Sequence, residues 1–205
     1  MISRHWMIQM GLVAALAVST PFALAATPPA QAVTTIRGFY DTLSATMKSG
    51  PALGFTGRRD RLEGAIRNAF DLPQMTRLAV GPRWSSIPPQ QQSELVTAFG
   101  NFSAATYAGR FTHDGGERFD VDAAVTATRD GVIVHSKLIR VDDSPVQLDY
   151  LMKAEAGGWK IEDVYLSGTI SELATRRSEF SAVLSRGGAP ALVDALRKKA
   201  AEDRG

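Results

Sequence analysis

Gly157-Gly158-Trp159-Lys160-Ile161-Glu162-Asp163-Val164-Tyr165-Leu166-Ser167-Gly168-Thr169-Ile170-Ser171-Glu172-Leu173-Ala174-Thr175-Arg176-Arg177-Ser178-Glu179-Phe180 is the stretch that decides the fold. Gly157-Gly158 predicts a tight turn and Trp159 to Val164 a strand. Gly168 predicts a corner, and Ser171 the cap of a helix that turns Leu173, Phe180, Val183 and Leu184 inward. The strand's alternation slips at Asp163-Val164, so the direction of Asp163 stays open between a structural hydrogen bond at a bulge and a site carboxylate. No part of this stretch has the look of catalytic machinery.

Working upstream, three more segments repeat with period two. Val146, Leu148, Tyr150, Met152 and Ala154 alternate with Gln147, Asp149, Leu151 and Lys153. Val132 to Val141 is a strand whose two faces are Val132, Val134, Ser136, Leu138 and Ile133, His135, Lys137, Ile139, and Phe119, Val121, Ala123 and Val125 define a fourth strand. Arg129-Asp130-Gly131, Asp142-Asp143-Ser144-Pro145 and Ala156-Gly157-Gly158 are short turns between them. Short turns imply an antiparallel meander. Earlier still the period is helical. Val33, Ile36, Tyr40, Leu43 and Met47 form one stripe, and Lys48-Ser49-Gly50-Pro51 ends it. A second helix is predicted from Arg58 to Phe70, and a third opens at Asp71-Leu72-Pro73-Gln74 as a capping box. Gly81-Pro82 stops that helix and leaves Trp84 in a loop. A long helix then runs from Pro88-Pro89 to about Phe111. After the Ser171 helix, Gly187-Gly188 is a stop and Pro190 starts a last helix. The expected class is α+β: a curved four-stranded antiparallel sheet packed against several helices around an apolar cavity.

The first 25 residues carry Arg4, no acid, an apolar run from Met10 to Val18, and Ala23-Leu24-Ala25 at the end. That pattern predicts a cleaved signal peptide over residues 1–25. Its apolar run is shorter than the ~20 residues a membrane span needs. No cysteine follows it for lipid attachment. The expected location is the periplasm, with a flexible lead-in at 26–32, one domain at 33–200 and a tail at 201–205. Beyond residue 25 there are 22 basic and 21 acidic residues, a balance that argues against nucleic acid. The absence of cysteine leaves stability to the core. With His113 and His135 as the only histidines beyond the leader, no metal site or cofactor is expected.

Catalytic constellations are equally sparse. His113 lies in a Thr-His-Asp-Gly-Gly loop and His135 in mid-strand, without a nucleophile motif beside either. Asp149 and Tyr150 are adjacent on a strand and therefore diverge. No positioned acid–base pair can be named, and the expected catalytic set is empty. The aromatics Trp84, Phe99, Phe102, Tyr107, Phe111, Tyr150 and Trp159, with Met75 and Met152, fill a core or line a cavity.

Several of these motifs fall in one order. Phe70-Asp71 precedes Met75, Gly81 and Trp84; Gln92, Leu95, Phe99 and Tyr107 mark the long helix; Trp159-Lys160-Ile161, Asp163-Val164 and Gly168 precede Arg177, Phe180 and Leu184. In this the chain resembles the periplasmic phospholipid-binding proteins of the Mla pathway, the toluene-tolerance family. Phe70-Asp71-Leu72-Pro73, Val80-Gly81-Pro82-Arg83-Trp84, Leu148-Asp149-Tyr150 and Gly168-Thr169-Ile170-Ser171 look closest to its hopanoid-biosynthesis-associated branch.

The resemblance implies a monomeric carrier of phospholipid or hopanoid-type lipid. Its partners would be an outer-membrane lipoprotein complex and an inner-membrane ABC transporter with an MCE-domain subunit. The implied lipid-lining residues are Leu72, Met75, Leu78, Trp84, Phe99, Phe102, Leu148, Tyr150, Met152, Trp159 and Ile161. Arg58, Arg59, Arg61, Arg176 and Arg177 serve head groups, partners or simply solvated helix faces. Two rival readings stand beside the carrier. One is an isomerase- or dehydratase-like enzyme on a polycyclic lipid, which needs an ionisable residue deep in a pocket. The other is an adaptor with a solid interior.

Overall fold

The computed structural model describes residues 29–202. The leader at 1–25, the start of the lead-in and the last three residues lie outside this range. α1 (Ala30–Lys48) opens the described chain. It begins inside the span expected as lead-in, because Ala32 is already fully buried. α2 (Gly50–Ala69) also starts earlier than expected. Pro51 sits in its tolerant first turn and the chain kinks at Gly54, whose φ of 59° suits glycine. α3 (Leu72–Val80) is capped by Asp71, whose side chain accepts from Gln74 N at 3.0 Å. The reciprocal half of the expected capping box is not made. The Gln74 side chain accepts instead from Arg77 Nε at 3.0 Å.

Trp84, expected in a loop, lies in a 3₁₀ turn over Gly81–Ser86. Gln92 secures it by donating to the carbonyls of Trp84 and Ile87 at 2.9 and 3.0 Å. α4 (Pro89–Arg110) follows. Then come β1 (Arg118–Ala127), β2 (Val132–Ile139), β3 (Val146–Glu155), β4 (Gly158–Leu166) and β5 (Ile170–Ser171). The sheet is an antiparallel meander in the order β1-β2-β3-β4-β5. It has five strands where four were expected. The fifth is two residues long and has no alternation of its own to reveal it; the turn through Ser167 and Gly168 folds Ile170 back beside Leu166. α5 (Glu172–Glu202) contains the expected break as a kink at Gly188, two residues before Pro190.

The slip in β4 has a definite form. Leu151 pairs with Asp163 while Met152 pairs with Ile161, so Glu162 is an extra residue. This bulge reverses the parity of the strand. Trp159 and Ile161 face the helices before it; Val164 and Leu166 face them after it. Glu162 turns outward to Lys153 Nζ at 2.9 Å. Asp163 accepts from Val164 N at 2.8 Å, Ser171 Oγ at 2.6 Å and Leu173 N at 3.1 Å. One carboxylate thus ties the bulge to the start of α5. This is the structural role held open for it in the sequence.

Asp163→Ala strands the buried Leu173 amide and removes the helix-start contact. The expected loss is about 2–3 kcal/mol of stability in urea unfolding. Asp163→Asn, which keeps an acceptor, should recover part of it.

Candidate functional site

The helices do not seal the whole sheet. The Trp159–Ile161 end is closed, because Phe70 bridges to Ile161 and Asp71 N donates to the Ile161 carbonyl at 2.9 Å. Towards the other end of β3 a pocket of about 270 Å³ opens between sheet and helices. From the helices come Tyr40, Met75, Phe99, Phe102, Tyr107 and Phe111. From the sheet come Phe119, Leu138, Leu148, Tyr150, Val164 and Leu166. Its edge is polar, with Arg110, Glu172 and Arg176. Arg176 pairs with Glu172 at 3.6 Å and Glu179 at 3.1 Å, and its guanidinium lies 5.0 Å from the centre of the Phe102 ring. The edge therefore carries charge that is largely balanced.

The wall is not uniformly apolar. Ser136 Oγ donates to the Leu148 carbonyl at 2.6 Å. Tyr40 Oη lies 2.8 Å from Ser136 Oγ and 2.8 Å from Tyr150 Oη. Tyr107 is a third phenol of the same pocket, electrostatically coupled to Tyr40 and Tyr150. Three phenols from α1, α4 and β3 thus meet at one wall of the pocket. Burial pushes the Tyr40 hydroxyl up to about 12 and holds Tyr107 and Tyr150 well above the ordinary tyrosine range. They are neutral hydrogen-bonding groups at any physiological pH.

Of the eleven residues expected to line a pocket, Met75, Phe99, Phe102, Leu148 and Tyr150 line this one. The other six do not. Leu72 is buried between helices, its Cδ1 so near Gly100 that an added Cβ there would lie 3.0 Å away. Leu78 is 39% exposed, because Leu72, Thr76, Ala79 and Val80 centre the buried stripe of α3 on another side. Trp84 packs half-buried from the 3₁₀ turn. Met152, Trp159 and Ile161 are on the inward face of the sheet but at the end that the helices close.

Sequence reasoning missed Tyr40, Leu43, Phe119, Leu138 and Leu166. Leu138 pairs with Val146 across the Asp142–Pro145 turn, so the turn length offered a signal for the inward face of β2. Leu166 was hidden by the Glu162 bulge.

The remaining candidates have other uses. Arg58 is buried and donates to the Ala108 and Gly50 carbonyls at 2.9 and 3.2 Å, clamping α2 to α4. Arg59 pairs with Asp60 at 2.7 Å, and Arg61 is exposed. Arg177 lies against Gly81, whose positive φ of 73° disfavours any side chain; an added Cβ would lie 2.9 Å from Arg177 Nε. His135 sits outside the pocket, between Thr126 Oγ1 at 2.9 Å and Asp149 Oδ1 at 3.0 Å. Asp149 and Tyr150 diverge as strand neighbours must, the carboxylate to His135 and the phenol into the pocket.

A pH prediction comes from the phenols. A raised folded pKa favours the folded state fully below the unfolded tyrosine value near ~10, and that contribution is lost as pH climbs through the folded value. Stability should therefore fall from about pH 10 towards pH 12. Tyr40→Phe should flatten this dependence. In an ultraviolet titration of the folded protein, half-exposed Tyr165 should ionise first. Ionisation of all four tyrosines together before unfolding would contradict the buried network.

No curated protein is significantly similar in sequence. Among solved structures, the phospholipid-binding protein from Ralstonia solanacearum, determined in complex with a phospholipid, is 28% identical. The match covers 85% of this chain and 99% of that one, with a TM-score of 0.73. Residues 38–198 match the family model described as MlaC protein. The match takes in every residue that lines the pocket, and the chain belongs to the MlaC protein family.

Proposed function

We propose that this protein is a lipid carrier that shields the apolar part of a lipid in the pocket between its sheet and helices. The observation that carries the reading is the pocket itself, in a chain whose structural relative was solved holding a phospholipid. An acyl chain of about 15 methylenes, at ~0.8 kcal/mol each, gains ~12 kcal/mol on leaving water. A carrier must enclose most of that surface. At about 270 Å³ the pocket falls just below the ~300–1,000 Å³ common for ligand sites. A lipid with two long tails therefore requires α4 and α5 to move away from the sheet.

The setting we propose is the periplasm, reached through the predicted leader. There the carrier passes lipid between an outer-membrane lipoprotein complex and an inner-membrane ABC transporter with an MCE-domain subunit. The cargo is phospholipid or, following the branch the motifs resemble, a hopanoid-type lipid. The carrier acts without covalent chemistry. Glu172, the carboxylate at the pocket, is engaged by Arg176, and Asp149 is on the other face of the sheet with His135. Among the described residues, Glu172 is the one carboxylate that lines the pocket. An adaptor with a solid interior fits the pocket less well.

Native mass spectrometry of gently purified protein should show bound lipid at near one per chain. Leu148→Trp, which adds bulk inside the pocket, should cut retained lipid about tenfold with the fold preserved by circular dichroism. Wild-type protein that arrives empty and takes up no lipid after delipidation would overturn the proposal.

A further inference from the structure

A second concavity shares none of the residues that line the lipid pocket. It is a groove of about 700 Å³ along the seam between the 3₁₀ turn and the first half of α5. Arg83 stands on one wall, and Arg177, Ser178, Ser181 and Ser185 stand on the other. Two guanidinium groups reach across the seam in opposite directions. Arg177 extends from α5 to Gly81, and Arg83 extends from the turn to donate to Ser185 Oγ at 3.2 Å. Neither arginine forms an ion pair with another described residue. Acids are missing on both sides. Leu72 to Ser93 contains no Asp or Glu. On α5, Glu179 is drawn away to Arg176 at 3.1 Å and Lys199 at 3.5 Å. Among the described residues, no carboxylate lines the groove.

From this unbalanced charge we infer that the groove docks an acidic helix of a partner protein, one bearing two carboxylates seven or eight residues apart. The spacing follows from the seam. Residue 177 and residue 185, which marks the head of Arg83, are about 12 Å apart along α5 at ~1.5 Å per residue. Two acids on one face of a helix match that span after two turns, about 10.5–12 Å. A carboxylate also suits the planar fork of arginine, which can bind it through two parallel hydrogen bonds. A bilayer fits less well. Lipid-binding basic clusters use ~4–8 Lys or Arg, and the groove has two. None of the exposed large apolar residues Leu78, Val141 and Ile170 lines it for insertion. Both guanidinium groups lie against the seam, at Gly81 and Ser185, where a protruding side chain reaches them better than a flat interface. The groove and the pocket flank the same turns of α5, so a helix held at Arg177 sits one residue from Arg176 at the pocket edge. The inference goes beyond the carrier reading and does not depend on it.

The test places the photo-crosslinker p-benzoylphenylalanine at Ser181 of the full-length protein in its native host. The expected product is an adduct with another protein. Its cross-linked segment, identified by mass spectrometry, should be a helix with two acids seven or eight residues apart. A synthetic peptide of that segment should bind the purified protein. Arg83→Glu combined with Arg177→Glu should raise its Kd about tenfold. Exchanging the two acids of the peptide for Arg should restore binding to this double variant, a gain that damage to the fold would not produce. About 0.5 M salt should shrink the difference. Arg83→Gln combined with Arg177→Gln, milder at the Gly81 contact, should weaken binding in the same direction by less. Lipid retained in native mass spectrometry should be unchanged in both double variants, so failure here leaves the carrier reading standing. The absence of any adduct, an adduct with lipid or with a second copy of this chain, or a cross-linked segment without paired acids overturns the inference. So does equal peptide binding by the wild type and the charge-reversed variant.

Discussion

One extra residue in β4 governs how the two layers meet. A regular strand from Gly158 to Leu166 would face either Trp159 and Ile161 or Val164 and Leu166 towards the helices, and not both pairs. Inserting Glu162 reverses the parity midway, so both pairs are inward. The same bulge aims Asp163 at Ser171 and the Leu173 amide. The start of α5, and with it Glu172 and Arg176 at the pocket edge, is thereby set by the same irregularity that sets the pocket wall. The two halves of β4 then serve different ends. The first is sealed by Phe70 and Asp71, and the second is left facing open space.

That space persists because of how α4 divides its surface. Ala98, Ala104, Ala105 and Ala108 are buried, and small side chains let neighbouring helices approach closely. Arg58 reinforces this by reaching the Ala108 carbonyl from α2. Phe99, Phe102, Thr106 and Tyr107 of the same helix face the pocket. Phenols of α1 and β3, joined through their hydroxyls, are rigid braces with two soft torsions each. Replacing them by aliphatic chains would let the helices settle onto the sheet. The stacking of Tyr40 on Phe119, with ring centres 4.1 Å apart, holds the brace against β1 as well.

Much of this order was legible from local signals. The period-two runs and the Asp-Gly turn gave four strands in antiparallel order, and Asp71, Gly81 and Pro89 marked helix ends close to where they fall. What the residues could not declare was where along an inward face the cover stops. Met152 and Leu148 are alike in pattern, yet one is sealed and the other lines a pocket, because only the former lies near the Phe70–Ile161 bridge. That bridge joins residues far apart in sequence. β5 is too short for a period, and Leu78 is apolar on an exposed side of α3. Tyr40 was visible as a core position of the α1 stripe; its hydroxyl found meaning only through Ser136 and Tyr150, on two different strands.

If the pocket admits and releases lipid as proposed, apolar packing alone cannot hold it. Apolar contacts are non-directional, so a wall made only of them would collapse when the cargo leaves. The hydroxyl chain works differently. Its members satisfy one another with or without a ligand, so an emptied pocket leaves the Tyr40, Tyr150 and Ser136 hydroxyls paired. At the edge, Arg176 is likewise satisfied by Glu172, Glu179 and the Phe102 ring before any head group arrives. Emptying the site therefore costs mainly the exposure of hydrocarbon. That term disappears when an acceptor presents an equally apolar path. On the carrier reading, preformed polar pairing would let one pocket be both stable when vacant and able to give up its cargo.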